Sequence, residues 1–132
     1  MRGLDTNVLL RPLLDDDPGQ VAVVQALLRD LEARGERAYV NGIVLCEACW
    51  VLRSNDFSRD EIVAVLERIL ETGLFVIQDR DLARRALAEY RLGKADFADY
   101  LIGSQNREVG CEDTVTFDRK LEGAAGFSVL SP

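Results

Sequence analysis

The sequence predicts an α/β fold, a mainly parallel sheet covered by helices on both faces, and three observations lead there. Short apolar runs rich in β-branched residues alternate with longer amphipathic segments along the whole chain. That order produces strand–helix–strand crossovers. No internal repeat or low-complexity tract interrupts it. With 132 residues, 48% of them hydrophobic, the chain can bury one core without staples, so residues 1–132 read as a single domain.

Each element has a local cause. Arg2-Gly3-Leu4-Asp5 reads as a brief first strand, and Thr6 or Asn7 as the cap of the apolar segment that follows, Val8 to Leu14. Asp15-Asp16-Asp17-Pro18 has the acidic residues and the proline of a helix N-terminus, and Val21, Val24, Leu27, Leu28 and Leu31 then recur at helical spacing up to Gly35. The triplet is expected to cap rather than to bind metal. Ala38-Tyr39-Val40 is a second strand, and Ile43 to Leu52, apolar nearly all round, is expected to be a largely buried helix. A helix from about Ser58 to Thr72 shows Ile62, Val65, Leu66, Ile69 and Leu70 on one face, and Gly73 ends it before a strand at 74–77. Leu82, Ala86, Leu87 and Tyr90 mark the next helix, and another runs from Asp96 to Val109. Strands at 114–117 and 127–130 close the series.

Composition excludes several chemistries. The chain has no histidine, which removes Ser-His-Asp, Cys-His and His-metal sites. Acid–base work near neutral pH would then fall to carboxylates or to metal-bound water. A net charge of -7 argues against a passive nucleic-acid coat, because phosphate affinity comes from many Lys and Arg contacts. Fourteen of the sixteen basic residues are arginines. Cys46 and Cys49 form a C-x-x-C inside an apolar run, with no second pair to complete a zinc site, and are expected to be buried thiols. No apolar run is long enough to span a bilayer and no signal peptide is evident, so a reduced, cytoplasmic protein without membrane contact is expected.

The residues that stand out are carboxylates. Asp5 and Asp118 each follow a strand, at the edge where open parallel sheets place their ligands. For either alone, a helix cap or turn is an equally good explanation. Glu47 has Ile43, Val44, Trp50 and Val51 at three and four residues, so its carboxylate is expected amid apolar side chains, to be offset by a metal or by an arginine such as Arg53. Asp96 and Asp99 share one helical face. Asp96 sits where an N-cap would be, which leaves Asp99 the stronger candidate for chemistry. Asp5, Glu47, Asp99 and Asp118 together would be an all-oxygen pocket of the kind hard cations take, magnesium first and manganese as a substitute.

Gly3-Leu4-Asp5-Thr6-Asn7-Val8-Leu9, Glu47 in its apolar helix, Asp96 to Ile102, and Val115-Thr116-Phe117-Asp118-Arg119-Lys120 resemble, in order and across essentially the whole chain, the motifs of PIN-domain ribonucleases of the VapC toxin type. The resemblance implies a three-layer α/β/α domain of the 5'-nuclease-like kind, with a central sheet of about four to five short strands. It implies a magnesium- or manganese-dependent endoribonuclease, the toxin of a toxin–antitoxin pair, acting as a homodimer and occluded by a cognate antitoxin. Asp5, Glu47, Asp99 and Asp118 match the family's acidic positions, with Asp96 a fifth candidate metal ligand. Asp5, Asp99 and Asp118 would then bind one or two cations, while Glu47 helps to hold metal or orients the attacking water. Thr6 and Asn7 match the polar residues that hold the first aspartate, and Thr116 would support the site through its hydroxyl.

Two other readings are carried beside this one. A catalytically weak PIN-like module that works mainly through a basic antitoxin partner agrees with the acidic charge. An acidic-pocket phosphatase would usually carry D-x-D after the first strand, where this chain has Asp5-Thr6-Asn7. The RNA target, of transfer or ribosomal class, would be selected by surface shape and scattered basic side chains such as Arg11, Arg53 and Lys120.

Overall fold

The computed structural model describes residues 1–14 and 16–132. Asp15, part of the expected capping triplet, lies outside them. The described chain is α/β, with six α-helices, five short strands and only parallel pairing. It divides into two compact units, Met1–Gln78 and Asp79–Pro132.

The first unit holds β1 (Arg2–Gly3), α1 (Thr6–Leu14), α2 (Pro18–Ala33), β2 (Ala38–Val40), α3 (Gly42–Ser54), α4 (Arg59–Glu71) and β3 (Phe75–Ile77). Its sheet has the order β1-β2-β3, with Gly3 opposite Tyr39 and Tyr39 opposite Val76. Helical connections of this length are what parallel neighbours require. Ala38, Val40, Phe75 and Ile77 are buried, and the interior is completed by Leu10, Leu31, Leu45, Leu52 and Leu66, all fully buried.

Helix starts in this unit follow capping chemistry. Asp17 accepts a hydrogen bond from the Gln20 N–H and Pro18 opens α2, as the acidic run suggested. Asp16 pairs instead with Arg11, Nη1 to Oδ1 at 2.5 Å. Ser58 and Glu61 form a reciprocal capping box at the start of α4. The cap of α1 differs from the sequence expectation. Thr6 is already the first helical residue, and the carbonyl of Asp5 accepts from Val8 N and Leu9 N.

The second unit holds α5 (Arg80–Leu92), α6 (Phe97–Glu108), β4 (Thr114–Thr116) and β5 (Phe127–Val129), with a single 3-10 turn at Arg119–Leu121. The two strands pair in parallel, Val115 opposite Ser128. Tyr90 and Phe97, both fully buried, meet edge to face at 6.2 Å between α5 and α6. Two glycines permit close approaches here. A side chain at Gly93 would reach within 1.8 Å of the Tyr100 hydroxyl, and one at Gly103 within 2.6 Å of the Phe127 ring. The Tyr100 hydroxyl accepts the Ala95 N–H at 3.2 Å, closing the turn into α6.

Candidate active site

In the first unit the proposed acidic residues are joined through one threonine. Asp5 lies two residues beyond the end of β1, because the strand stops at Gly3. Leu4 N still donates to Tyr39 O, which holds the chain beside the sheet as it turns into α1. Asp5 Oδ1 accepts the Thr6 N–H at 2.8 Å. Thr6 is 5% exposed, and its hydroxyl donates to Glu47 Oε1 at 2.8 Å across 41 residues of sequence. Thr6 therefore touches Asp5 with its backbone and Glu47 with its side chain, and the second of these contacts was not foreseen from the sequence.

Glu47 itself corrects the sequence reading. It is exposed, not set amid buried apolar side chains. Helix α3 buries Val44, Leu45, Ala48, Cys49 and Leu52, and the opposite stripe, Ile43, Glu47 and Trp50, is open, with Ile43 72% and Trp50 48% exposed. The run is apolar nearly all round in composition, but only one face is covered. The carboxylate therefore needs no metal to offset burial, and its partner is a hydroxyl. None of the three cysteines is in a disulfide, in line with the thiol reading, although Cys111 is exposed and Cys46 only partly covered.

In the second unit, Asp96 caps α6 and Asp99 stands one turn in. Asp99 Oδ2 accepts the Asp96 N–H at 3.0 Å. Asp99 thus has a capping role of its own, which sequence spacing alone assigned to Asp96. Asp118 lies two residues past the end of β4, which stops at Thr116. Its N–H donates to the Thr116 hydroxyl at 3.0 Å, and its Oδ1 accepts the Lys120 N–H at 2.9 Å. The 3-10 turn that Asp118 starts was not foreseen, and the Asp-x-Lys spacing is the signal that would have found it.

Charge separates this group from an ordinary set of caps. Partial burial holds the Asp99 carboxyl above the usual aspartate range, and the negative charges of Asp96 and Asp118 push the same way, against the Asp96 N–H bond and Lys120. A carboxylate that is partly buried beside other negative charges is stabilised by a nearby cation. Among the described residues, no three His, Cys, Asp or Glu side chains are arranged to hold a metal ion. A magnesium ion that keeps most of its water needs only one or two carboxylates, which the donor set supplies. The oxygen-only chemistry of these side chains fits such an ion.

A family model for the PIN domain matches residues 4–126 of this chain. The chain is also similar to the VapC ribonuclease of Aquifex aeolicus (strain VF5), 28% identical over 133 aligned positions that cover 100% of this chain and 97% of the relative. Both matches span the stretches that hold Asp5, Glu47, Asp99 and Asp118, and the described structure has the mixed α/β make-up and parallel strands that the motifs imply. The chain belongs to the PIN domain family.

Proposed function

We propose that the protein is a divalent-metal-dependent endoribonuclease, the toxin of a toxin–antitoxin pair, whose activity depends on Asp5 and Glu47 in the first unit and on Asp99 and Asp118 in the second. The observation that carries this reading is the match to a VapC ribonuclease along the whole chain, and it is supported by the carboxyl of Asp99, which partial burial, with the charges of Asp96 and Asp118, holds above the usual aspartate range.

The candidate ligands for magnesium or manganese are Asp99 and Asp118, with Asp96 as a further candidate, in the second unit, and Asp5 and Glu47 in the first. When bound, the cation supplies neutralisation of the attacked phosphate and a more acidic water. The chain's own residues do the positioning. The Thr6 hydroxyl holds one oxygen of Glu47, which aims the other at water or cation. The Thr116 hydroxyl and the Lys120 N–H fix the backbone and one oxygen of Asp118. Asn7, exposed in the first turn of α1, would help to hold Asp5 in place. A homodimer acting in the cytoplasm, with a cognate antitoxin as its partner, completes the reading. No helix among the described residues is long and apolar enough to cross a membrane.

The test is cleavage of total cellular RNA by purified, antitoxin-free protein, with and without magnesium. Magnesium-dependent cleavage by the native chain, lost in Asp5→Ala with an unchanged circular dichroism spectrum, is the expected outcome. Full cleavage by that variant would remove Asp5 from the mechanism. No cleavage of any RNA by the native chain would favour the second reading, a binding module that works through a basic partner, which the net charge of -7 supports.

A further inference from the structure

We propose that Trp50 is a stacking platform for one unpaired base of the RNA, beside Glu47. The inference rests on the endoribonuclease reading above and names how its substrate is held. Helix α3 leaves one stripe uncovered, Ile43, Glu47, Trp50 and Ser54, all of them exposed. Residues three or four apart on a helix share a face, with about 5–6 Å between their Cβ atoms, so Trp50 is the direct neighbour of Glu47.

Helix geometry also sets the direction of the indole. Aromatic side chains on a helix lean toward its N-terminus and cover the turn before their own Cα. For Trp50 that turn holds Cys46 and Glu47. The carboxylate there is held in place, since the Thr6 hydroxyl donates to Glu47 Oε1 at 2.8 Å. Trp50 is 48% exposed, so about half of a large aromatic side chain is open to water. Among the described residues the ring pairs are Tyr90 with Phe97 and Tyr100 with Phe127, and neither involves the indole.

Three features select a base as the occupant. Glu47 repels a phosphate, whereas the faces of a base are uncharged and stack on an aromatic ring whatever the base. A second copy of this chain fits poorly. A stable protein interface covers roughly 800 Å² of each partner, and this stripe offers only Ile43 and Trp50 as apolar side chains. In a two-fold contact the stripe would also face itself, bringing two Glu47 carboxylates together out of water. A base covers the indole and leaves the carboxylate wet. Only an unstacked base can reach the ring, which selects single-stranded RNA.

Trp50 is the sole tryptophan of the chain, so tryptophan fluorescence reports this one position. The experiment titrates the native chain with labelled oligoadenylate and with an oligomer of the same length and charge that lacks bases, and follows binding by anisotropy of the label. Calcium replaces magnesium, so that a cation is present while cleavage is held back. Saturable quenching of Trp50 emission by oligoadenylate is expected, with the base-free oligomer binding about tenfold more weakly and leaving the emission unchanged. Trp50→Phe is expected to keep most of the affinity and Trp50→Ala to lose about tenfold. Because Trp50→Ala also removes a half-buried side chain from α3, the quenching of the unaltered protein stands without the variant. Binding that leaves the emission unchanged, equal quenching by the base-free oligomer, or no binding at all overturns the platform. Emission that shifts with protein concentration in the absence of RNA overturns it too, by giving the face to a second copy. If total RNA is still cut with magnesium in any of these cases, the nuclease reading survives. If no oligomer binds and no RNA is cut, both are overturned.

Discussion

The two groups of carboxylates both accept backbone or hydroxyl donors, but they differ in burial and in the charge around them. In the first unit a buried hydroxyl reaches Glu47 and a backbone N–H reaches Asp5, so each negative charge has a donor. In the second unit Asp99 is partly buried beside two other carboxylates, and its proton is held more tightly as a result. Donor-braced carboxylates gain geometry at little electrostatic cost. Mutually repelling ones are costly until a cation arrives, and that cost is the basis of metal affinity. In the proposed mechanism the first group would serve positioning and the second would take the greater share of cation binding.

The largest effect should come from the second group. Asp118→Asn keeps an oxygen to accept the Lys120 N–H but loses the charge, so magnesium-dependent cleavage should fall about a hundredfold or more, measured as kcat/KM. A smaller loss than that of Glu47→Gln would reverse the assignment of roles.

Asp99→Asn should separate function from stability. The folded-state pKa of Asp99 is raised, so its contribution to stability is present at low pH and is lost as pH rises through the folded value. An asparagine removes that titration and can still accept the Asp96 N–H. Thermal melts should therefore show the variant more stable than the native chain at neutral pH and no different in acid, while cleavage is lost at both. A variant less stable at neutral pH would mean that the capping bond outweighs the repulsion.

A smaller effect is expected at Gly103. Alanine there must displace the Phe127 ring, at a cost of about 1–3 kcal/mol in urea denaturation. Because Phe127 begins β5, the strand beside β4 and Asp118, cleavage should decline with stability. The smallest change is Thr6→Val, which deletes the hydroxyl bond to Glu47 and should cost about 1 kcal/mol. Its kcat should fall severalfold with KM unchanged, since Thr6 positions Glu47 and does not itself bind substrate.

Much of this was legible in the sequence where the cause is local. Asp17 and Pro18 at the start of α2, the α5 and α6 stripes, and the strands at 38–40 and 75–77 all follow from residues within one or two turns of one another. What escaped was set by partners far along the chain. The Thr6 to Glu47 bond links residues 41 apart, and spacing alone reads both as cap and core. Glu47 looked buried because its neighbours on α3 are apolar, yet Ile43 and Trp50 lie on an uncovered face that composition does not reveal. Asp99 looked free of structural work because capping boxes are commonly read as Ser or Thr with Glu, whereas here two aspartates flank the turn.

The central claim is that these carboxylates bind a divalent cation in the service of RNA cleavage. Electron paramagnetic resonance titration of manganese into the native chain and into Asp99→Asn/Asp118→Asn tests it most directly. Saturable binding by the native chain, lost in the double variant and displaced by magnesium over the range that restores cleavage, is the result expected. Equal manganese binding by both proteins, or RNA cleavage that persists in excess chelator, would contradict it.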